Sequence, residues 1–182
     1  MGEGDASGPL MKDTSGFSVS SYKEWRHAKY GSLNVKDFDK MAILQSLHGM
    51  ICAVEVMAGT ANDSPSLRRL LAFLPQGTGD VVLGDSAYAN KPNCASVAGS
   101  GRTPIMAPKS NAVIGKSGAY AAMLRFREEH PGTFYKKLAM RNNVESAFSA
   151  IKARLGGFVR ALNKPNRAIE LLSMAICYNM TF

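Results

Sequence analysis

The order of the short apolar runs along the chain is what most constrains its fold. Residues 41–47 and 51–57 are both suited to strands, and the segment 48–50 between them contains a glycine. The two runs therefore predict an antiparallel hairpin. Two later runs, residues 81–83 and 104–107, are short enough to be buried strands. Because helical segments alternate with these later strands, the order predicts one α/β domain with a mixed sheet flanked by helices.

Local signals indicate where the helices begin and end. Asn62-Asp63-Ser64-Pro65 is typical of a helix start, and Asp63 is most simply its capping residue. Pro131-Gly132 is expected to end a helix, and Gly99-Ser100-Gly101 is expected to form a loop. Further helices are expected over residues 117–130, 141–155 and 165–178. Residues 1–9 are expected to be a flexible leader, and residues 10–182, which begin with a strand, the folded domain.

Composition argues against several classes of protein. The three cysteines, Cys52, Cys94 and Cys177, have no CxxC spacing, which disfavours both a disulfide framework and a structural zinc site. No apolar run approaches the roughly 18 residues of a membrane span. The first residues lack the basic and apolar segments of a secretion signal. We therefore expect a reduced, cytoplasmic protein that does not enter a membrane.

Charge is distributed unevenly along the chain, whose net charge is +8. Residues 1–101 contain 9 Lys and Arg against 10 Asp and Glu, whereas residues 102–182 contain 13 against 4. A strongly basic half is the electrostatic footprint of a nucleic-acid partner. A solvated basic surface without a polyanion partner explains the same balance, so charge alone leaves both possibilities open.

Two aspartates follow apolar segments of the predicted strands. Asp13 comes after Leu10 and Met11, and Asp85 comes directly after the run 81–83 and Gly84. Open α/β sheets place their chemistry at the carboxyl ends of buried strands. A turn or cap aspartate is the competing interpretation of each residue.

Residues 141–155 carry the most informative pattern. At about 100° per residue, one face of this helix is apolar and consists of Val144, Phe148, Ile151 and Leu155, flanked by Ala147. Arg141, Glu145 and Lys152 fall together on one flank of that face. An ordinary surface pair between Arg141 and Glu145 accounts for their spacing, but it stabilises a helix by only about 0.2–0.5 kcal/mol. It does not account for three charged residues bordering the core.

Three carboxylates from distant parts of a basic chain favour a divalent-metal site that acts on phosphodiesters. Mg²⁺ prefers oxygen ligands and is commonly held by a few carboxylates together with substrate phosphate. Two such ions about 3.5–4 Å apart can activate an attacking oxygen and stabilise a leaving one. In this interpretation the acids hold the metals, and nearby Arg and Lys side chains hold the phosphates.

The motifs together resemble the catalytic domain of DDE transposases of bacterial and archaeal insertion sequences, which have an RNase H-like fold. The matching segments are Lys12-Asp13-Thr14-Ser15-Gly16-Phe17, Leu83-Gly84-Asp85-Ser86-Ala87-Tyr88 and Arg141-Asn142-Asn143-Val144-Glu145. The last segment, with Lys152, is similar to the family's Y-x2-R-x3-E-x6-K signature. Leu138 stands at the tyrosine position of that signature. The resemblance covers about residues 10–180.

The resemblance implies a transposase that cleaves DNA at transposon ends and joins it to target DNA. Asp13, Asp85 and Glu145 would be the catalytic and metal-binding triad, with two Mg²⁺ ions or Mn²⁺ in their place. The residues implied in DNA contact are Arg141, Lys152, Arg154 and Lys109, although Lys109 is equally explained as a solvated loop lysine. A homodimer on DNA is also expected.

Two alternative functions remain open at this point. One is a catalytically inactive DNA-binding remnant, and the other is a simple RNase H-like nuclease that cleaves without joining strands. Only 12 residues precede Asp13, so we expect the family's N-terminal DNA-binding region to be missing from this chain.

Overall fold

The computed structural model describes residues 8–19 and 38–181. The interpretation of most of the leader as flexible concerns residues that lie outside the described ranges. Within them, the expected α/β fold class is confirmed: a six-stranded mixed sheet is flanked by helices, as in an RNase H-like fold.

The longest strand lies at the centre of the sheet. The strands are β1 (Pro9–Val19), β2 (Phe38–Ser46), β3 (Ile51–Ala58), β4 (Val81–Gly84), β5 (Thr103–Met106) and β6 (Phe158–Val159). The sheet order is β3-β2-β1-β4-β5, and β6 pairs separately with β1. β1, β2 and β3 pair antiparallel, whereas β4 is parallel to β1 and β5 is parallel to β4. The predicted hairpin and the two later buried strands are thus confirmed.

Six helices cover the sheet in the described part of the chain. They are α1 (Ser66–Ala72), α2 (Lys91–Gly99), α3 (Ala119–Glu129), α4 (Pro131–Ala139), α5 (Asn142–Leu155) and α6 (Lys164–Met180). No helix in the described ranges is both long and apolar enough to cross a membrane.

Alternation along the strands separates two faces of the sheet. Gln45 of β2 donates a hydrogen bond to the Tyr178 hydroxyl of α6, at 3.4 Å, so odd-numbered β2 residues face α6. Glu55 of β3 faces the other way and accepts a hydrogen bond from Arg69 of α1. Because successive residues of a strand point to opposite faces, neighbouring residues of β1 also enter different environments.

Two helices and one strand were not predicted. Lys91–Gly99 forms α2. Its last residue, Gly99, was expected to be the first residue of a loop. Pro131-Gly132 does not simply end a helix, because Pro131 begins α4 in the first turn, where its missing N–H costs nothing. The two-residue strand β6 is too short to have a sequence pattern.

Two details of the helix predictions were also wrong. Asp63 is not a helix cap: α1 has Pro65 at its N-cap position without a side-chain cap hydrogen bond, and the Asp63 carboxylate instead accepts a hydrogen bond from Lys40 at 2.8 Å. On α5, Val144, Phe148 and Ile151 are buried as expected, but Leu155 at the end of the helix is exposed.

Candidate active site

Asp13 lies within β1, and Asp85 directly follows β4, the strand that pairs in parallel with β1. β1 and β4 pair through Pro9 with Val81, Leu10 with Val82 and Met11 with Leu83, a constant offset of 72 residues. Asp13 and Asp85 are separated by the same 72 residues. Each lies two residues beyond the last pair, Met11 with Leu83, and Asp85 is close enough to Asp13 for its charge to raise the pKa of that carboxyl.

The edge of β1 that carries Asp13 is open in the described part of the chain. β4 pairs with β1 only as far as Met11, and β6 pairs with it only from Ser18 onward. On the opposite edge, β2 pairs with β1 from Leu10 to Ser18 without a break. The open stretch is therefore a gap in strand pairing at the carboxyl end of β4, beside Asp85.

The carboxylate of Asp13 is partly withdrawn from water. Burial raises the pKa of Asp13, and the negative charge of Asp85 raises it further. A hydrogen bond from the backbone N–H of Thr14 and the positive charges of Lys12 and Arg141 act in the opposite direction. Asp85 itself lies in a tight turn, where its Oδ1 accepts a hydrogen bond from the backbone N–H of Ala87 at 2.8 Å.

Helix α5 packs over the open stretch and places charged residues there. Lys152 Nζ donates a hydrogen bond to Ser15 Oγ at 2.7 Å and lies 5.1 Å from the centre of the Phe17 ring. Asp13, Ser15 and Phe17 are every second residue of β1, so their side chains point to the same face of the sheet. Helix α5 therefore covers the face toward which Asp13 points. The predicted placement of Lys152 beside the core is confirmed.

Glu145 lies in the first turn of α5, and Arg141 occupies the N-cap position of this helix. Arg141 Nη2 donates to Glu145 Oε1 at 3.1 Å, and the Glu145 side chain is 59% exposed. Arg141 is also close enough to Asp13 for its charge to lower the pKa of that carboxyl. Arg141 thus connects Glu145 electrostatically to Asp13, and its pair with Glu145 is the ordinary i, i+4 pair that the sequence suggested.

The other two predicted DNA contacts lie apart from this group. Lys109 is exposed in the loop after β5, at the same end of the sheet as Asp85, because β4 and β5 are parallel. Arg154 is exposed on the opposite flank of α5, where it borders a small cavity together with Cys177, Tyr178 and Thr181 of the chain's last segment.

Sequence reasoning missed a buried polar cluster on the other face of β1. Lys12 is fully buried, and its Nζ donates to Thr14 Oγ1 at 2.8 Å, to Tyr88 Oη at 2.9 Å and to the carbonyl oxygen of Asp13 at 2.9 Å. Burial lowers the pKa of Lys12 from 10.5 to about 7, against the opposing charges of nearby carboxylates. Burial also raises the pKa of Tyr88. The one available signal was a lysine inside an otherwise apolar strand segment.

The donor chemistry of the two aspartates suits a divalent cation. Mg²⁺ prefers carboxylate oxygens and needs only one or two of them besides water and phosphate. Asp13 is a partly desolvated carboxylate that has a second carboxylate as a neighbour, an arrangement that a cation would relieve. Within residues 8–19 and 38–181, however, no three His, Cys, Asp or Glu side chains are gathered into a group that could hold a metal ion. Glu145 is engaged with Arg141.

Comparison with known protein families gives a match. A family model described as "Transposase DDE domain" matches residues 10–180, nearly the whole chain. Comparison with curated proteins gave no match, and neither did comparison with solved structures.

Proposed function

The chain belongs to the transposase DDE domain family, and from that premise we propose that it catalyses metal-dependent DNA cleavage at transposon ends followed by strand transfer to target DNA. The observation that carries the proposal is that Asp13 and Asp85 both follow the paired stretch of β1 and β4 by two residues, at an open edge of β1 that is covered by the helix of Glu145 and Lys152. In a family whose members act on DNA, such an edge leaves space for a phosphodiester beside two carboxylates.

In the proposed site, Asp13, Asp85 and Glu145 hold two Mg²⁺ ions, for which Mn²⁺ can substitute. When bound, a pair of such ions makes an oxygen nucleophile more reactive and stabilises the leaving oxygen. Asp13 and Asp85 each lie two residues beyond the last pair of β1 and β4, and the charge of Asp85 reaches the Asp13 carboxyl. Glu145 reaches them by giving up Arg141, an exchange that costs little because a solvent-exposed ion pair contributes only about 0.2–1 kcal/mol.

The basic side chains of the site hold the DNA backbone. Arg141, once released by Glu145, offers its guanidinium to a phosphate, and Arg is suited to bidentate phosphate contacts. Lys152 is oriented by Ser15, so its charge is already placed at the face of Asp13. Lys109 and Arg154 extend the contact along the DNA, and a homodimer on DNA would hold two transposon ends together.

The test is a cleavage and strand-transfer assay on DNA that carries the element's own ends, with Mg²⁺ or Mn²⁺. Wild type is compared with Glu145→Gln, which keeps the size of the side chain and removes its charge. The matched control is Glu128→Gln, because Glu128 is also 59% exposed and also lies near an arginine, at 3.8 Å from Arg127. We expect cleavage by wild type and the control, none by Glu145→Gln, and equal DNA binding and thermal melting in all three.

Each departure from this pattern selects another function. Equal cleavage by Glu145→Gln and wild type would remove Glu145 from the mechanism. DNA binding without cleavage by any of the three would favour the inactive remnant. Cleavage without joining of a 3′-hydroxyl end to target DNA would favour a simple nuclease.

A further inference from the structure

The backbone ladder that aligns Asp13 with Asp85 stops before it reaches them. Met11 and Leu83 are the last residues through which β1 and β4 pair with each other, and each aspartate lies two residues further along its segment. No ladder hydrogen bond between the two described strands therefore fixes the distance between the carboxylates. Other contacts must set that distance at the place where pairing ends.

Tyr88 spans the gap at this place. Its side chain is 1% exposed, and its hydroxyl shares a hydrogen bond with Thr14 Oγ1 at 2.7 Å and accepts one from Lys12 Nζ at 2.9 Å. The Lys12 ammonium also lies 4.4 Å from the centre of the Tyr88 ring. Lys12 and Thr14 are the residues on either side of Asp13, so Tyr88 is hydrogen-bonded to β1 both before and after the aspartate.

The backbone of Tyr88 is fixed equally firmly to Asp85. The Tyr88 N–H donates to the carbonyl of Asp85 at 3.2 Å, which closes the turn that follows β4. The Tyr88 carbonyl in turn accepts a hydrogen bond at 3.1 Å from Asn93, a fully buried residue of α2. Gly84 makes room for this turn, since a Cβ there would lie 3.0 Å from the Met106 sulfur and 3.4 Å from the Tyr88 Cβ.

We propose that Lys12, Thr14 and Tyr88 form a clamp that sets the spacing of Asp13 and Asp85 as metal ligands. The three residues point away from the face covered by α5, so they touch neither DNA nor metal and are positioning residues. Their hydrogen bonds replace the missing rungs of the ladder between β1 and the turn after β4. The inference rests on the proposed function, because it assigns the clamp to the two aspartates of that site.

The clamp predicts a specific effect of removing one hydroxyl. Tyr88→Phe keeps the buried ring and loses both hydrogen bonds to β1, so Asp13 and Asp85 are no longer held at a fixed distance. Residues that orient metal ligands typically contribute 10- to 100-fold to metal affinity. We therefore expect Mn²⁺ binding to the full chain, measured by calorimetry without DNA, to weaken 10- to 100-fold. Binding of DNA in the absence of metal should not change.

The matched control is Tyr178→Phe. Tyr178 is also a buried tyrosine whose hydroxyl takes part in a hydrogen bond, but it lies on α6 and contacts Gln45. Its loss should lower the melting temperature without changing the affinity for Mn²⁺. If both variants weakened Mn²⁺ binding equally, loss of packing and not the clamp would be the cause.

A second pair of variants keeps the test independent of whether Tyr88→Phe folds. Thr14→Val removes the other end of the hydrogen bond, whereas Thr14→Ser keeps the hydroxyl and should restore Mn²⁺ affinity. Wild-type affinity in Tyr88→Phe and Thr14→Val, together with no binding by Asp85→Asn, would overturn the clamp and leave the proposed metal site standing. No Mn²⁺ binding and no cleavage by wild type would overturn both.

Discussion

Arg102 is a buried arginine whose removal should destabilise the fold without affecting the candidate active site. It is 6% exposed and precedes β5 directly. Its guanidinium donates to three carbonyl oxygens: Thr78 at 2.8 Å, Pro75 at 3.0 Å and Ser100 at 3.2 Å. Arg102 thus ties the turn before β4 to the end of α2. The perturbation is Arg102→Leu, which keeps much of the apolar volume and removes all three donors.

The magnitude follows from the number of lost hydrogen bonds. A hydrogen bond to a charged group contributes about 1.5–3 kcal/mol, so three of them set an upper limit of several kcal/mol. The actual loss should be smaller, because Pro75 is exposed and its carbonyl can turn to water. We expect the free energy of unfolding to fall by about 3–5 kcal/mol, which for a domain of this size lowers the melting temperature by about 6–20 °C.

Urea and thermal unfolding measure this loss, and Arg125→Leu is the control. Arg125 also donates to two carbonyl oxygens, of Gly115 and Lys116, but it is exposed, so its removal should change stability by about 0.5 kcal/mol or less. Arg102 lies at the amino ends of β4 and β5, opposite Asp85, so Arg102→Leu should cleave DNA like wild type well below its melting temperature. A stability loss equal to that of Arg125→Leu would refute the reasoning.

Three further outcomes are expected. Iodoacetamide at about pH 8 should modify the exposed Cys177 and leave Cys94 unmodified until the protein unfolds, as mass spectrometry of the intact chain would show. The reason is that burial raises the pKa of the Cys94 thiol to about 11. DNA affinity, followed by fluorescence anisotropy, should fall with a log–log salt slope of about −0.9 per phosphate neutralised, and a flat response would contradict binding through residues 102–182. Glu170→Gln should lower stability by about 1–2 kcal/mol in urea unfolding, because the Glu170 carboxylate accepts hydrogen bonds at about 2.9 Å from two backbone N–H groups before α6.

The central strands and α5 could be predicted because their patterns are local. The hairpin residues and the run before Asp85 are apolar segments bounded by turn residues, and α5 has an apolar face at helical spacing. Such patterns are visible in one sequence because burial of the same residues stabilises both the element and the fold.

Helix α2 was missed although the sequence held a signal for it. Its buried residues include the polar Asn93 and no regular apolar face, so hydrophobic spacing did not indicate a helix. Its start, however, is Asn90-Lys91-Pro92-Asn93, the same four residues as Asn163-Lys164-Pro165-Asn166 at the start of α6. In both helices the first asparagine side chain accepts a hydrogen bond from the backbone N–H of the second. The capping motif would have indicated α2 where hydrophobic periodicity could not.

The candidate site could be predicted only in part, because its geometry depends on long-range pairing. Asp85 was expected directly after a strand and does follow β4, whereas Asp13, also interpreted as a strand-end acid, lies in the middle of β1. The alignment of the two depends on the register of β1 with β4, which no local pattern reveals. The burial of Lys12 was equally hidden, since an isolated lysine in a strand usually faces solvent. One of its acceptors, the Tyr88 hydroxyl, belongs to a residue 76 positions away.

The offset shared by the two strands also decides which changes in chain length this molecule can accumulate over evolution. Insertions or deletions in the segment between β3 and β4 alter the number of residues that separate Asp13 from Asp85, yet they leave the pairing of β1 with β4 unchanged. A single deletion between Pro9 and Asp13 is different, because it moves every later residue of β1 to the opposite face of the sheet. Asp13 would then point toward Tyr88, and Lys12 would point toward α5. The distance between the two acids along the chain is therefore free to drift, whereas the four-residue step from Pro9 to Asp13 is not.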